Sequence, residues 1–215
     1  MTAFTIKLIA ITSMLIDHAG AVFDLHFGFR VVGRIAFPLF VYLIACGCRH
    51  TKSMEKYMLR LGIFALISEI PFDLAFNQQI DFLNDTNIFY TLWLGVACIY
   101  IVQKIRHIPY LWILSFAPVA AAMMAANWFG SDYGARGVLL IFLVWAVSDF
   151  KTIQLGIIAA FMFLLYFANV NLLAASLIAV PIIAMANNKL GPPAKWVFYW
   201  TYPGHLLLFA LIAGL

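Results

Sequence analysis

Two neighbouring residues, Asp17 and His18, interrupt an apolar stretch near the start of the chain. An ionisable side chain at membrane depth costs about 2.5–3.5 kcal/mol on insertion scales, so it is expected to face protein and to serve a purpose. An imidazole takes up and releases a proton near neutral pH, which suits general-base chemistry. Adjacent helical positions diverge by about 100°. Asp17 therefore does not orient His18 from beside it and is expected to meet a cation elsewhere, Arg34 or Arg136. Lys7 stands eleven positions before His18, very nearly three turns, which puts both side chains on one face about 16 Å apart along the axis. An elongated anionic cosubstrate would rest its charged end near Lys7 and its reactive end near His18. The plainer roles are a His18 that only bonds one helix to another and a Lys7 that snorkels to the headgroups.

Further polar residues stand where apolar ones are the rule. Glu69, Pro71 and Asp73 close one apolar stretch, and Pro71 is expected to break that helix and free backbone groups to line a cavity. Asp132, Tyr133 and Arg136 open another, with Asp132 placed to cap it and Asn87 placed to cap the stretch that starts at Ile88. Tyr202, Pro203, Gly204 and His205 fall inside the last stretch; the Pro-Gly pair is expected to loosen the helix where the imidazole is presented.

These residues need a bundle to hold them. Of the 215 residues, 65% are hydrophobic and 10% charged, against about half and a quarter in globular proteins, so the bilayer is the expected solvent. The expected fold is all-α: a polytopic transmembrane bundle of about nine spans in one domain over 1–215. The spans are placed at 4–23, 32–48, 57–70, 88–102, 110–128, 134–147, 153–168, 172–186 and 196–215. The first run is read as a membrane helix rather than a cleaved signal, since Asp17-His18 interrupts it and no clean small-residue site follows. The even-numbered loops are basic and the third and seventh are not, which predicts a cytoplasmic N-terminus and an external C-terminus. Arg30 and Arg34 break that pattern, so a reason other than topology is expected to hold them. Cys46, Cys48 and Cys98 read as buried apolar thiols; no metal site is expected, and the net charge of +4 speaks to orientation rather than to nucleic acid.

The motifs together resemble the TraX family, named for a conjugative-pilus protein that acetylates the N-terminus of pilin. The resemblance rests on Lys7 to Ala10, Met14 to Gly20, Gly33 to Phe40, Tyr57 to Leu61, Ile67 to Asp73, Asn87 to Leu92, Asp132 to Gly134 and Tyr202 to His205, in order along the whole chain. The family is similar in turn to membrane-embedded acyltransferases, the acyltransferase-3 and heparan-glucosamine acetyltransferase groups; in acyltransferase-3 proteins a basic residue precedes an essential His by eleven positions on the first helix. The resemblance implies a bacterial inner-membrane enzyme that takes acetyl-CoA from the cytoplasm and acetylates an amine or hydroxyl on the outer side, on pilin or an envelope glycan. It implies a catalytic group of His18, Asp17, Arg34, Glu69 and His205, with His26 as rival imidazole. Lys7, Arg49, Lys52, Lys56, Arg60 and Lys104 are assigned to acetyl-CoA, and Asp73, Asn87, Asp132, Tyr133 and Arg136 to the acceptor. A proton-coupled exporter and a non-catalytic assembly factor are the alternatives, and a homo-oligomer stays open.

Overall fold

The computed structural model describes residues 1–77, 79–106, 108 and 114–214. Among them every regular element is helical: α1 (Ala3–Val22), α2 (Gly28–Gly33), α3 (Ala36–His50), α4 (Met54–Phe76), α5 (Ile88–Arg106), α6 (Phe116–Trp128), α7 (Gly134–Ala146), α8 (Lys151–Tyr166), α9 (Val170–Leu177), α10 (Ala179–Ala184) and α11 (Lys195–Ala213). Among the described residues, four stretches are long and apolar enough to cross a membrane, Ala3–Val22, Gly28–His50, Ile88–Arg106 and Lys195–Ala213. Leu, Phe, Trp and Ile side chains cover much of the outer surface, as expected of a protein whose solvent is lipid. The chain is a helical membrane protein.

Local chemistry starts several of these helices. Thr2 accepts from the Thr5 amide at 3.2 Å, Ser53 from Lys56 at 3.2 Å, and Asn169 from Leu172 at 3.2 Å, each satisfying a donor that a first turn leaves orphaned. Asn87 accepts from the Phe89 amide at 2.9 Å, as its position suggested.

Several expectations need correction. The stretch 57–70 is part of a longer helix, α4, which runs through Pro71 to Phe76; the proline lacks one donor, but α5 and α11 pack against α4 and hold the helix on course. Likewise α11 continues through Pro203 and Gly204. The stretch 32–48 is instead two helices meeting at Arg34 and Ile35, and 172–186 is two meeting at Ile178, three residues before Pro181. Of the stretches 110–128 and 196–215, residues 110–113 and 215 lie outside the described residues.

Contacts between loops define the two ends of the bundle. At one end Ala3 and Phe4 donate to the carbonyls of Lys189 and Leu190 at 2.8 and 3.0 Å, Arg49 pairs with Asp149 at 2.7 Å, and Lys151 donates to the Ala186 carbonyl at 2.7 Å. At the other, Thr86 donates to Phe129 at 3.4 Å and Asp132 to Thr86 at 3.0 Å. All Lys and Arg except Arg30, Arg34 and Arg136 belong to the first end, whereas all Asp and Glu except Glu55 and Asp149 belong to the second.

Close packing in the middle depends on small residues. A Cβ on Gly95 of α5 would stand 2.9 Å from both Cδ1 and Cγ2 of Ile141 on α7. Overpacking of this kind costs about 1–3 kcal/mol. Gly95→Ala is therefore expected to lower the thermal unfolding midpoint in detergent. The double variant with Ile141→Ala should be less destabilised than the two single effects added together; strict additivity would show that the contact is not the cause.

Candidate functional site

The side chains of Asp17 and His18 leave α1 in different directions, as helical geometry requires, and each finds a different partner. Asp17 turns to the junction of α2 and α3. Arg34 Nη2 donates to both of its carboxylate oxygens, at 2.7 and 2.9 Å, and Arg30 Nη1 lies 3.1 Å from Oδ2. Arg34 Nε is in turn held by the Arg30 carbonyl at 3.1 Å. The carboxylate is only 13% exposed and Arg34 16%, so this charge-assisted pair is shielded from solvent screening. Gly33 makes the approach feasible, because any Cβ there would collide with Asp17 at 2.2–2.3 Å. Arg30 and Arg34, which broke the loop-charge pattern, are thus both accounted for by Asp17; Arg136 is exposed at the start of α7 and does not take that part.

His18 turns to α11. Its Nδ1 lies 2.7 Å from Nε2 of His205, with the rings nearly parallel at 14°. His205 Nδ1 lies 2.7 Å from the Thr201 carbonyl. Phe76 and Tyr202 meet the His18 ring edge-on at 5.4 and 5.8 Å. Lys7, three turns earlier, also faces α11, its Nζ 5.4 Å from the centre of the Phe198 ring. The shared face expected from the eleven-residue spacing is therefore the face that packs on α11. His26 stands apart at an exposed turn, where its Nδ1 accepts from the Gly28 amide at 3.0 Å.

A cavity of about 300 Å³ opens at the basic end, between α1, α3, α4, α5 and α11. Lys7, His50, Arg60 and Lys195 stand around its outer part; Met14, Phe40, Leu61, Leu92 and Phe198 give apolar walls; Ile88, Phe89 and Tyr202 lie among its lining. Tyr202 is the shared wall, packed edge-on against Phe89 at 5.0 Å and against both histidines. Arg60 lies over Tyr57, and its Nε is buried with no hydrogen-bond partner among the described residues. A second cavity adjoins the first and shares Lys7, Leu190, Lys195 and Phe198 with it.

Glu69 is fully buried. One oxygen accepts from the Asn87 amide at 3.2 Å and from the Asn87 side chain, and Asn87 also donates to the Ala65 carbonyl at 2.8 Å. The other oxygen has no partner among the described residues. The pair ties α4 to the start of α5, one residue before the cavity-lining Ile88. Asp73, also buried, accepts from Asn77 at 2.9 Å and from the Asp81 amide at 2.7 Å and so braces the loop between α4 and α5. In that loop, Asp81 accepts from Asn84 and Leu83, bonds that hold its carboxyl below the usual range.

Tyr133 precedes α7 in the left-handed region, at φ 63°, and stacks on Phe37 with ring centres 3.5 Å apart. Asp132 does not cap α7: its side chain is exposed, its carbonyl accepts from the Thr91 hydroxyl, and the Ala135 amide is capped by Asn127 at 2.9 Å. Of the basic residues assigned to a cosubstrate, Lys7 and Arg60 reach the cavity. Arg49 is engaged with Asp149, Lys104 lies over Tyr100, and Lys52 and Lys56 are exposed. Lys195, His50, Tyr57 and Tyr199 line the cavity although sequence reasoning did not single them out for it. The basic loops carried Lys195 and His50 as a signal, but the aromatic residues carried none among so many others.

The Asp17 clamp gives a direct test. Breaking a shielded ion pair by removing one partner costs about 3–5 kcal/mol, because the other charge is left without compensation. Asp17→Ala is expected to lower the unfolding midpoint strongly, and Gly33→Ala to imitate it by displacing the carboxylate. Replacing Arg34 by Met in the Asp17→Ala background should recover part of the loss. A Gly33→Ala chain as stable as the wild type would contradict the packing described.

No solved structure matches the chain. A curated relative, described as a probable fimbrial assembly protein FimC of serogroup H1 from Dichelobacter nodosus, is 30% identical over 213 residues, covering 92% of this chain and 84% of the relative. The model of the TraX protein family matches residues 3–213, a span that contains Lys7, the Asp17 clamp, both facing histidines and the residues that line the cavity, and the chain belongs to that family.

Proposed function

We propose that the protein is an acetyltransferase embedded in the bacterial inner membrane, taking acetyl-CoA from the cytoplasmic side and acetylating an amine or hydroxyl presented from the outer side. The observation that carries this reading is the cavity that joins a cationic mouth to Tyr202, the residue against which both histidines pack. Phosphates bind Arg and Lys clusters through charge-assisted hydrogen bonds, and a pantetheine arm is matched by long apolar walls. Lys7 and Lys195 border both cavities, so they suit the diphosphate, with the nucleotide in the outer cavity and the thioester towards Tyr202. The gathering of most Lys and Arg at the mouth end supports a cytoplasmic position for that end, by the positive-inside tendency. The nine-span arrangement with an external C-terminus goes with it.

In this reading His18 removes the proton from the acceptor amine or hydroxyl as the acceptor atom bonds to the acetyl carbonyl carbon. The carbon–sulfur bond breaks, the CoA thiolate leaves, and His18 returns the proton to it. Arg34 and Asp17 hold α1 in place beside the reaction. Asn87 and Glu69 steady the far wall, while Asp73, Asp132, Tyr133 and Arg136 shape the outer end where an acceptor would arrive. The relative's description supports a fimbrial or pilus subunit as acceptor, with envelope glycans as the other class. An assembly role and an acetylating role are compatible if the modified subunit is the one assembled.

General-base catalysis is worth about 10²–10⁴-fold. His18→Ala is expected to lower transfer from labelled acetyl-CoA by that factor while the purified protein stays folded. Lys7→Ala and Lys195→Ala should each raise the KM for acetyl-CoA by roughly tenfold or more, since a charge-assisted hydrogen bond is worth about 1.5–3 kcal/mol. Undiminished transfer by a folded His18→Ala protein would end the assignment. Substrate flux into liposomes without acetyl-CoA would favour an exporter, and full fimbrial assembly by a chain lacking both His18 and Arg34 would favour a non-catalytic factor.

A further inference from the structure

The two histidines are linked in a direction that their environment decides. The Thr201 carbonyl can only accept a hydrogen bond, so His205 Nδ1, 2.7 Å away, must carry a proton. In neutral His205 the lone pair then sits on Nε2. That lone pair lies 2.7 Å from His18 Nδ1, so Nδ1 of His18 is the donor. One nitrogen remains on neutral His18, and it must hold the free lone pair: Nε2. Free neutral histidine prefers the opposite tautomer, with its proton on Nε2. The hydrogen bond made by one ring nitrogen thus fixes the chemistry of the other.

We infer that His205 is a positioning residue, which, with the Thr201 carbonyl behind it, holds His18 as the Nδ1–H tautomer and leaves His18 Nε2 as the basic atom. Both histidines are on elements that cannot readily turn. His18 lies in the last turns of α1, pinned one residue earlier by the Asp17 clamp, and His205 lies between Tyr202 and Phe209 on α11. When His18 Nε2 gains a proton, the ring becomes an imidazolium whose Nδ1–H already points at an acceptor, so the hydrogen bond strengthens without reorganisation. The proton cannot travel on through His205 to the protein, because a peptide carbonyl is no proton acceptor at neutral pH; it stays on the pair and is available for return. Asp17, next to His18 in the chain, is joined with Arg30 and Arg34 in its own ion-pair cluster, and the aromatic neighbours of the two histidines are Tyr202, Phe76 and Phe209.

The tautomer itself can be read without any assay of transfer, so this inference and the acetyltransferase reading, on which only its catalytic consequence rests, fail separately. Full-length protein labelled with ¹⁵N-histidine in nanodiscs, with His18→Ala used to assign the signal, is expected to show His18 protonated on Nδ1 and bare on Nε2. His205→Gln should keep that state, because an amide oxygen can occupy the place of Nε2 and accept the same hydrogen bond, whereas His205→Leu should lose it. In acetyl transfer, His205→Leu is expected to lower kcat by roughly 10–100-fold with the KM for acetyl-CoA within about twofold, and His205→Gln to recover most of it. A wild-type His18 with its proton on Nε2 would overturn the inference, and so would a tautomer unchanged in His205→Leu. If the Leu variant does not fold, the wild-type and Gln spectra decide the matter.

Discussion

A helix cannot send two adjacent side chains the same way, and the site is built on that restriction. α1 carries Asp17 towards α2 and His18 towards α11, so it must be held on both sides at one height. On the α2 side the grip is electrostatic, a carboxylate shared by two guanidiniums over a glycine that lets the backbones approach. On the α11 side it is a series of ring contacts, Phe4 tilted against Phe198, His18 meeting His205 nitrogen to nitrogen and Phe23 edge-on to Phe209. The two grips differ in kind for a physical reason. A charge in a low-dielectric interior must be compensated at once, while a neutral imidazole needs only one donor and one acceptor.

Charge is distributed along the bundle to match. Cations dominate the end where the cavity opens, and carboxylates dominate the other, where several serve as struts rather than as open ligands. Asp73 braces a loop, Glu69 binds the residue that starts α5, and Asp17 anchors α1. Each carries several hydrogen bonds because an unsatisfied buried carboxylate would be costly; the bare oxygen of Glu69 is the exception among the described residues.

Much of this was legible in the residues. The apolar composition required a bundle, the eleven-residue interval between Lys7 and His18 gave a common face, and the divergence of neighbours sent Asp17 to an arginine elsewhere, Arg34 or Arg136, of which the structure takes Arg34. Asn87 was recognisable as a cap because Asn at a helix start has one dominant use. Where sequence reasoning missed, a local rule lost to a neighbour. Pro71 is a helix breaker in isolation, yet α4 passes through it between packed partners. Asp132 has the type and place of a cap, but Asn127 from the preceding helix takes the amide. Arg49 belongs to a basic loop that suits phosphate, yet its pair with Asp149 depends on α3 and α7 meeting, which no spacing within either reveals.

By itself the amino-acid sequence determined the class of solvent, the helical periodicity, the face that Lys7 and His18 share and the asymmetry of charge, because each follows from residue type and from a repeat of 3.6 per turn. Only the tertiary structure decided that His18 meets His205 nitrogen to nitrogen, that Lys195 rather than Lys52 stands at the cavity and that Tyr202 separates cavity from imidazoles. Those facts depend on how helices nearly two hundred residues apart in the chain are set in height and rotation against each other. That setting is chosen by the packing of all the helices together and is written in no single segment.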